Sequence, residues 1–205
     1  MDKIPPNVMV HIIIDDDAAV RRSLEMLLQS VGHMARSYTS ARAFLGSFDP
    51  SIPGCLLLDV RMPGMSGLDL QQLLAQDKIK IPVIIITGHG DVPMAVRAMK
   101  EGAIDFIEKP FHDQHLLDTV ATALARSVEI QQQQHEQAKF LERVSSLSPR
   151  ERQVMDVLVA GKHNKVIALE LGISPKTVDV HRGHIMEKMQ VKSVIELVRL
   201  SMANM

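Results

Sequence analysis

The runs "III" at 12–14, "LLL" at 56–58 and "VIII" at 83–86 are apolar at every position rather than at every second one. Strands of that kind are covered on both faces, the condition of a parallel sheet wrapped by helices. Strand-like runs at 8–14, 55–59, 83–87 and 104–108 alternate with segments whose apolar residues recur at helical spacing. Val20, Leu24, Leu27 and Leu28 share one face of "AAVRRSLEMLLQS", and Leu70, Leu73 and Leu74 one face of "GLDLQQLLAQ". "HMARSYT" at 33–39 is a weaker strand with polar alternation, suited to the sheet margin. The pattern predicts an α/β unit with a five-stranded, doubly wound parallel sheet, in which ligands bind beyond the carboxyl ends of the strands.

Three of the runs stop on polar side chains at that edge: Asp15, Asp16 and Asp17 in "HIIIDDD", Asp59 in "CLLLDV", and Thr87 in "PVIIITGHGD". Clustered carboxylates repel one another unless a cation neutralises them, and hard oxygen ligands favour Mg²⁺. "FIEKPF" adds Lys109 as a fixed positive charge, with Pro110 a candidate cis peptide. A carboxylate, a dication, a lysine and a hydroxyl are the parts phosphoryl transfer requires. Asp59 would attack phosphorus, Mg²⁺ and Lys109 would neutralise the equatorial oxygens, and the Thr87 hydroxyl would donate to one of them. Taken singly, the residues have plainer readings. Asp17 suits a helix N-cap, Thr87 a strand-end hydroxyl bonding its own turn, and Lys109 a surface charge.

After Phe111 the strands end. Leu116, Leu117, Val120 and Leu124 form an amphipathic helix that runs into "RSVEIQQQQHEQAKFLERV". With so little to bury, residues 127–143 read as a connector between domains 1–126 and 144–205, either helical or a floppy polar linker. From Ser145 the pattern is helical. Ser148-Pro149-Arg150-Glu151 is a capping box, Gly161 and Gly172 close two helices, Ser174-Pro175 opens a third, and Ser193 with Glu196 caps a fourth. The turn "LGISP" makes this small all-α domain a helix-turn-helix, whose second member can enter a DNA major groove.

Charge follows the same division: residues 1–125 hold 11 Lys and Arg against 15 Asp and Glu, net −4, while 144–205 hold 9 against 6, net +3. The basic end can meet a polyanion. One cysteine in 205 residues excludes a disulfide framework, and Cys55 reads as a small buried strand residue. No apolar run is long enough to span a membrane and the N-terminus lacks a signal-peptide pattern, so a cytoplasmic location with no membrane partner is expected.

The segments "IIIDDD", "LLLDVRMPGMSG", "VIIITGHGDVPMAVRAMKEGA", "DFIEKPF" and "LSPRERQVMDVL...NKVIALELGISPKTVDVHRGHIMEKM" resemble two-component response regulators of the NarL/FixJ family over essentially the whole chain. The resemblance implies a CheY/flavodoxin-like receiver followed by a four-helix LuxR-type DNA-binding domain. It implies Asp59 as phospho-acceptor, Asp15 and Asp16 as metal ligands with Asp59 and the Arg61 backbone carbonyl, and Thr87 with Phe106 as a switch pair. Also implied are a sensor histidine kinase, double-stranded promoter DNA in a sigma-70-type context, and RNA polymerase holoenzyme as partners. If Thr87 moves toward a phosphoryl oxygen, the Phe106 ring can fill the vacated space and repack the helix at 91–102. Arg97, Lys100 and Glu101 are expected near a phosphorylation-dependent dimer contact, and the protein is expected to activate transcription.

In the reader, Lys176, Thr177, Val180 and His181 occupy the first turns of the recognition helix, and Arg182 can reach phosphate or guanine. Lys165 opens the preceding helix and is expected on backbone phosphate, while Val178, Ile185 and Met189 read as core. NarL-like recognition helices often carry basic residues where this chain has Asp179 and Gly183. At that position Asp179 is suited either to accept from cytosine or to exclude other sequences. Two rival readings stand beside this one. A haloacid-dehalogenase-type phosphatase would use Asp15-x-Asp17 but leave Asp59 and the C-terminal domain without a task. A phosphorylation-independent DNA-binding regulator is at odds with the intact acidic set. Under the main reading the chain is no enzyme beyond self-phosphorylation and self-dephosphorylation.

Overall fold

The computed structural model describes residues 9–13 and 17–204, which form two compact units dividing between Gln132 and Gln133. In the first unit the strands β1 (Met9–Ile13), β2 (Met34–Tyr38), β3 (Gly54–Asp59), β4 (Val83–Thr87) and β5 (Asp105–Glu108) pair in parallel in the order β2-β1-β3-β4-β5. The polar run at 33–39 lies at an edge, and the fully buried β3 lies in the centre. Helices α1 (Ala18–Ser30), α2 (Ala41–Leu45), α3 (Gly67–Gln76), α4 (Val92–Lys100) and α5 (Asp113–Ser145) connect and follow the strands.

Strand alternation explains why the consecutive positions Cys55 to Leu58 of β3 are all apolar. Cys55 and Leu57 join a core with Leu24, Leu28, Leu116, Val120 and Leu124 from α1 and α5. Leu56 and Leu58 join a second core with Phe44, Leu70, Leu74 and Ala98 from α2, α3 and α4. Burying each such Leu or Ile side chain contributes about 1.5–3 kcal/mol. Asp17 caps α1, its Oδ1 accepting from the Ala19 and Val20 amides at 2.8 and 3.3 Å.

The connector is helical: α5 runs 33 residues without a break. Both ends of the stretch expected as a connector belong to the flanking units. The Ser127 hydroxyl accepts from the Gly54 amide at 2.8 Å, whereas Phe140 is buried in the core of the second unit. That unit packs α6 (Pro149–Val159), α7 (Asn164–Leu171), α8 (Pro175–Lys188) and α9 (Val194–Asn204) around Val154, Leu158, Ile167, Val178, Ile185, Met189 and Leu197. The Ser148/Glu151 capping box opens α6, Gly172 closes α7 in the left-handed region, and Ser174 caps α8. Among the described residues no helix is long and apolar enough to cross a membrane.

Candidate functional site

Parallel pairing brings three strand ends to one edge. Asp59 ends β3 at 7% exposure, and its Oδ2 lies 3.5 Å from the Lys109 ammonium. Its Oδ1 is buried and has no hydrogen-bond partner among the described residues. A buried carboxylate oxygen left without a donor costs about 1–3 kcal/mol or more, so this edge is suited to a group that the described side chains do not supply. Lys109 follows β5 and is fixed from behind: its amide donates to the Thr87 carbonyl at 2.8 Å, and the Lys109–Pro110 bond is cis.

Thr87 is fully buried, and its Oγ1 accepts from the His89 amide at 3.3 Å. The plainer reading of this residue, a hydroxyl bonding its own turn, thus describes part of its environment. That bond uses a lone pair and leaves the O–H as a donor. Phe106 is half-buried on β5, against the core that faces α4. A Cβ on Gly90 would stand 2.8 Å from Phe106 Cε1 and 3.3 Å from Thr87 Cγ2, so the bare backbone at 90 passes close to both the Phe106 ring and the Thr87 methyl.

Of the expected metal ligands, Asp15 and Asp16 lie outside the described residues, and Arg61 is exposed two positions after Asp59. Among the described residues no group of three or more His, Cys, Asp or Glu forms a metal-binding cluster. The unpartnered Asp59 Oδ1 and the hard-oxygen donor set nonetheless suit a small divalent cation.

Of the three expected surface residues at α4, Arg97 and Lys100 are exposed and Glu101 is half-buried; Arg97 donates to Glu101 at 3.0 Å and to Gln72 of α3 at 3.1 Å. Sequence reasoning passed over the exposed apolar residues Val92, Val96 and Met99 of the same helix, which are 77%, 45% and 48% exposed. Their i, i+4, i+7 spacing was the available signal.

In the second unit Lys165, Lys176 and Val180 are exposed, and Val178, Ile185 and Met189 are buried as their periodicity predicts. Thr177 Oγ1 lies 2.8 Å from Ser174 Oγ, inside the cap of α8. His181 and Arg182 are half-buried. Arg182 Nη1 donates to Asn164 Oδ1 at 2.7 Å, and Asn164 Nδ2 donates to Asp179 Oδ1 at 2.5 Å. The buried Glu151 of α6 receives the Lys188 ammonium of α8 at 2.7 Å and the Ser148 amide at 2.7 Å. These donors, Lys188 foremost, hold the Glu151 carboxyl at about 2.

Comparison with known proteins agrees with this division. Residues 11–121 match the response regulator receiver domain family, and residues 145–201 match the bacterial regulatory proteins of the luxR family. The chain is 49% identical over 199 residues to the transcriptional regulatory protein FixJ of Azorhizobium caulinodans, covering 97% of this chain and 94% of that protein. It is 48% identical over 192 residues to nodulation protein W of Bradyrhizobium diazoefficiens, covering 94% and 85%. Among solved structures, that of the response regulator StyR superposes with a TM-score of 0.82 at 45% identity, covering 95% of this chain and 98% of that one.

Proposed function

The chain belongs to the two-component response regulators that join a receiver domain to a LuxR-type DNA-binding helix-turn-helix, and we propose that it is phosphorylated on Asp59 by a sensor histidine kinase, dimerises, and activates transcription from promoter DNA. The observation that carries this reading is the Asp59 carboxylate, buried at the end of the central strand with one oxygen near Lys109 and the other unpartnered among the described residues. An Asp59 oxygen bonds to phosphorus as the donor's P–N bond breaks, leaving an acyl phosphate on the protein and a neutral histidine on the kinase. Lys109 neutralises charge on the incoming phosphoryl group, and the Thr87 O–H turns from its local turn to a phosphoryl oxygen. Asp59, Asp15, Asp16 and the Arg61 carbonyl would hold Mg²⁺, which supplies further neutralisation of the phosphoryl oxygens. The phosphatase reading leaves Asp59 and the whole second unit without a task.

Downstream, departure of Thr87 makes room for Phe106, and the surface of α4 changes. Val92, Val96 and Met99, rimmed by Lys100 with Arg97 and Glu101, form the dimer contact. Residues 1–126 are the receiver, 127–143 the connector and 144–205 the reader, in which Lys165 and Lys176 meet phosphate and Thr177, Val180, His181 and Arg182 face the groove. Two readers on one duplex gain effective concentration that one lacks, so RNA polymerase holoenzyme meets the protein as a dimer in the cytoplasm.

The test is phosphate transfer from a small phosphodonor, followed by sedimentation and titration on a duplex enriched by the phosphorylated protein. Asp59→Asn abolishes acid-labile phosphate, and the wild type shifts toward dimer and binds two half-sites far better than one. Undiminished labelling of the variant would move the acceptor elsewhere, and equal mass in both states would break the coupling.

A further inference from the structure

Asp179 is out of place on a surface meant for a polyanion. It is exposed on α8 beside Lys176, Val180 and Gly183, where a free carboxylate would repel phosphate. It is not free. Its Oδ1 accepts from Asn164 Nδ2 at 2.5 Å and lies 3.9 Å from Arg182 Nη1, while Asn164 Oδ1 accepts from that same Nη1 at 2.7 Å. The amide of Asn164, the first residue of α7, thus bridges two residues of α8, with its nitrogen toward the carboxylate and its oxygen toward the guanidinium.

We propose that Asn164, Asp179 and Arg182 form a selectivity clamp, in which Asp179 is a positioning residue acting through Asn164 on Arg182. This inference rests on the DNA-binding reading of α8 and goes beyond it. A guanidinium is a rigid planar fork with five N–H donors. Nη1 donates to Asn164, and the plane is set before any DNA arrives, so the remaining donors meet only a duplex that offers acceptors in that direction. An unclamped arginine on a long stem would instead settle on whichever phosphate lay nearest, raising affinity for every sequence alike. An exposed link of this kind adds little stability, so its value lies in direction rather than in holding α7 to α8.

The experiment uses the full chain and two probes: a duplex enriched by the wild type from a fully randomised pool, and the unselected pool itself. Asp179→Ala and Asn164→Ala are expected to bind the unselected pool about threefold to tenfold more tightly and to lose about tenfold in the ratio of selected to unselected affinity. The salt dependence of pool binding steepens by about one counterion in Asp179→Ala, as a freed Arg182 finds phosphate. Asp179→Asn retains an acceptor for Asn164 and keeps most of the ratio, which also guards against misfolding as the cause. Arg182→Ala loses the ratio by itself, and adding Asp179→Ala to it changes nothing further. An unchanged ratio in Asp179→Ala and Asn164→Ala overturns the clamp, as does simple additivity of the Asp179 and Arg182 effects. A wild type that enriches no sequence overturns the DNA-binding reading itself, and the clamp with it.

Discussion

Gly67 opens α3 directly against the backbone of Asp59, the proposed phospho-acceptor. A Cβ there would stand 2.1 Å from the Asp59 carbonyl oxygen and 3.0 Å from Leu58 Cγ. Ordinary non-bonded contact needs roughly 3.5 Å, so Gly67→Ala forces α3 and the end of β3 apart by roughly 1.4 Å, or by at least about 1 Å if side-chain and backbone adjustments absorb part of it. The Gly67 amide donates to the Val60 carbonyl at 3.0 Å, and that bond is lost in the separation. Overpacking costs about 1–3 kcal/mol and the hydrogen bond about 1 kcal/mol, against up to about 1 kcal/mol returned by alanine's helix preference. The net is about 1–3 kcal/mol, or a fall of roughly 4–12 °C in the midpoint of the receiver's thermal transition. Displacing the acceptor by about 1 Å should also slow labelling from a small phosphodonor by tenfold to a hundredfold. Thermal unfolding of the full chain and a time course of acid-labile phosphate measure the two effects. An unchanged midpoint with an unchanged labelling rate would mean that the contact relaxes freely and that Gly67 does not fix Asp59.

Gly90→Ala would bring its Cβ within 2.8 Å of the Phe106 ring, and we expect it to displace the ring and weaken phosphorylation-dependent dimerisation in sedimentation while phosphate uptake continues. Millimolar Mg²⁺ should raise the melting temperature of the receiver by mass action, and Asp16→Ala should remove most of that rise; no rise in the wild type would exclude a metal site. In the reader, the Glu151 carboxyl is depressed from 4.5 to about 2, so its contribution is fully present above pH 4.5 and is lost as pH falls toward 2. Lys188→Met should therefore destabilise the reader at neutral pH by about 1–3 kcal/mol and flatten that acid slope, both read by chemical denaturation across pH.

Strand ends were legible because periodicity and polarity both mark them: Asp59, Thr87 and Lys109 needed only the rule that parallel strands present one edge. Val178, Ile185 and Met189 were legible for the same reason, since a 3.6-residue period names the buried face. Contacts between elements distant in sequence were not. Nothing in "GHGD" says that residue 90 passes over a ring 16 positions later, and nothing in "SPKTVDVHR" says that Asp179 and Arg182 meet a side chain from α7. The length of α5 was undecidable because four consecutive glutamines bury little and favour neither state strongly. Its ends are fixed instead by Ser127 bonding Gly54 and by Phe140 entering the reader core. Arg97 was read as a surface charge and is exposed, but that it also ties α4 to α3 through Gln72 is a pairing no local pattern reveals.

Cys55, the chain's one cysteine, lies fully buried in β3, where burial pushes its thiol well above the usual range. Maleimides and iodoacetamides react with the thiolate, so the native chain is silent toward them. A cysteine introduced at an exposed position such as Met99 or Val180 would then be the sole reactive handle on an otherwise native sequence. A fluorophore or spin label placed at one of these positions could follow the α4 surface or the recognition helix separately, with no background to subtract and no core residue sacrificed to obtain it.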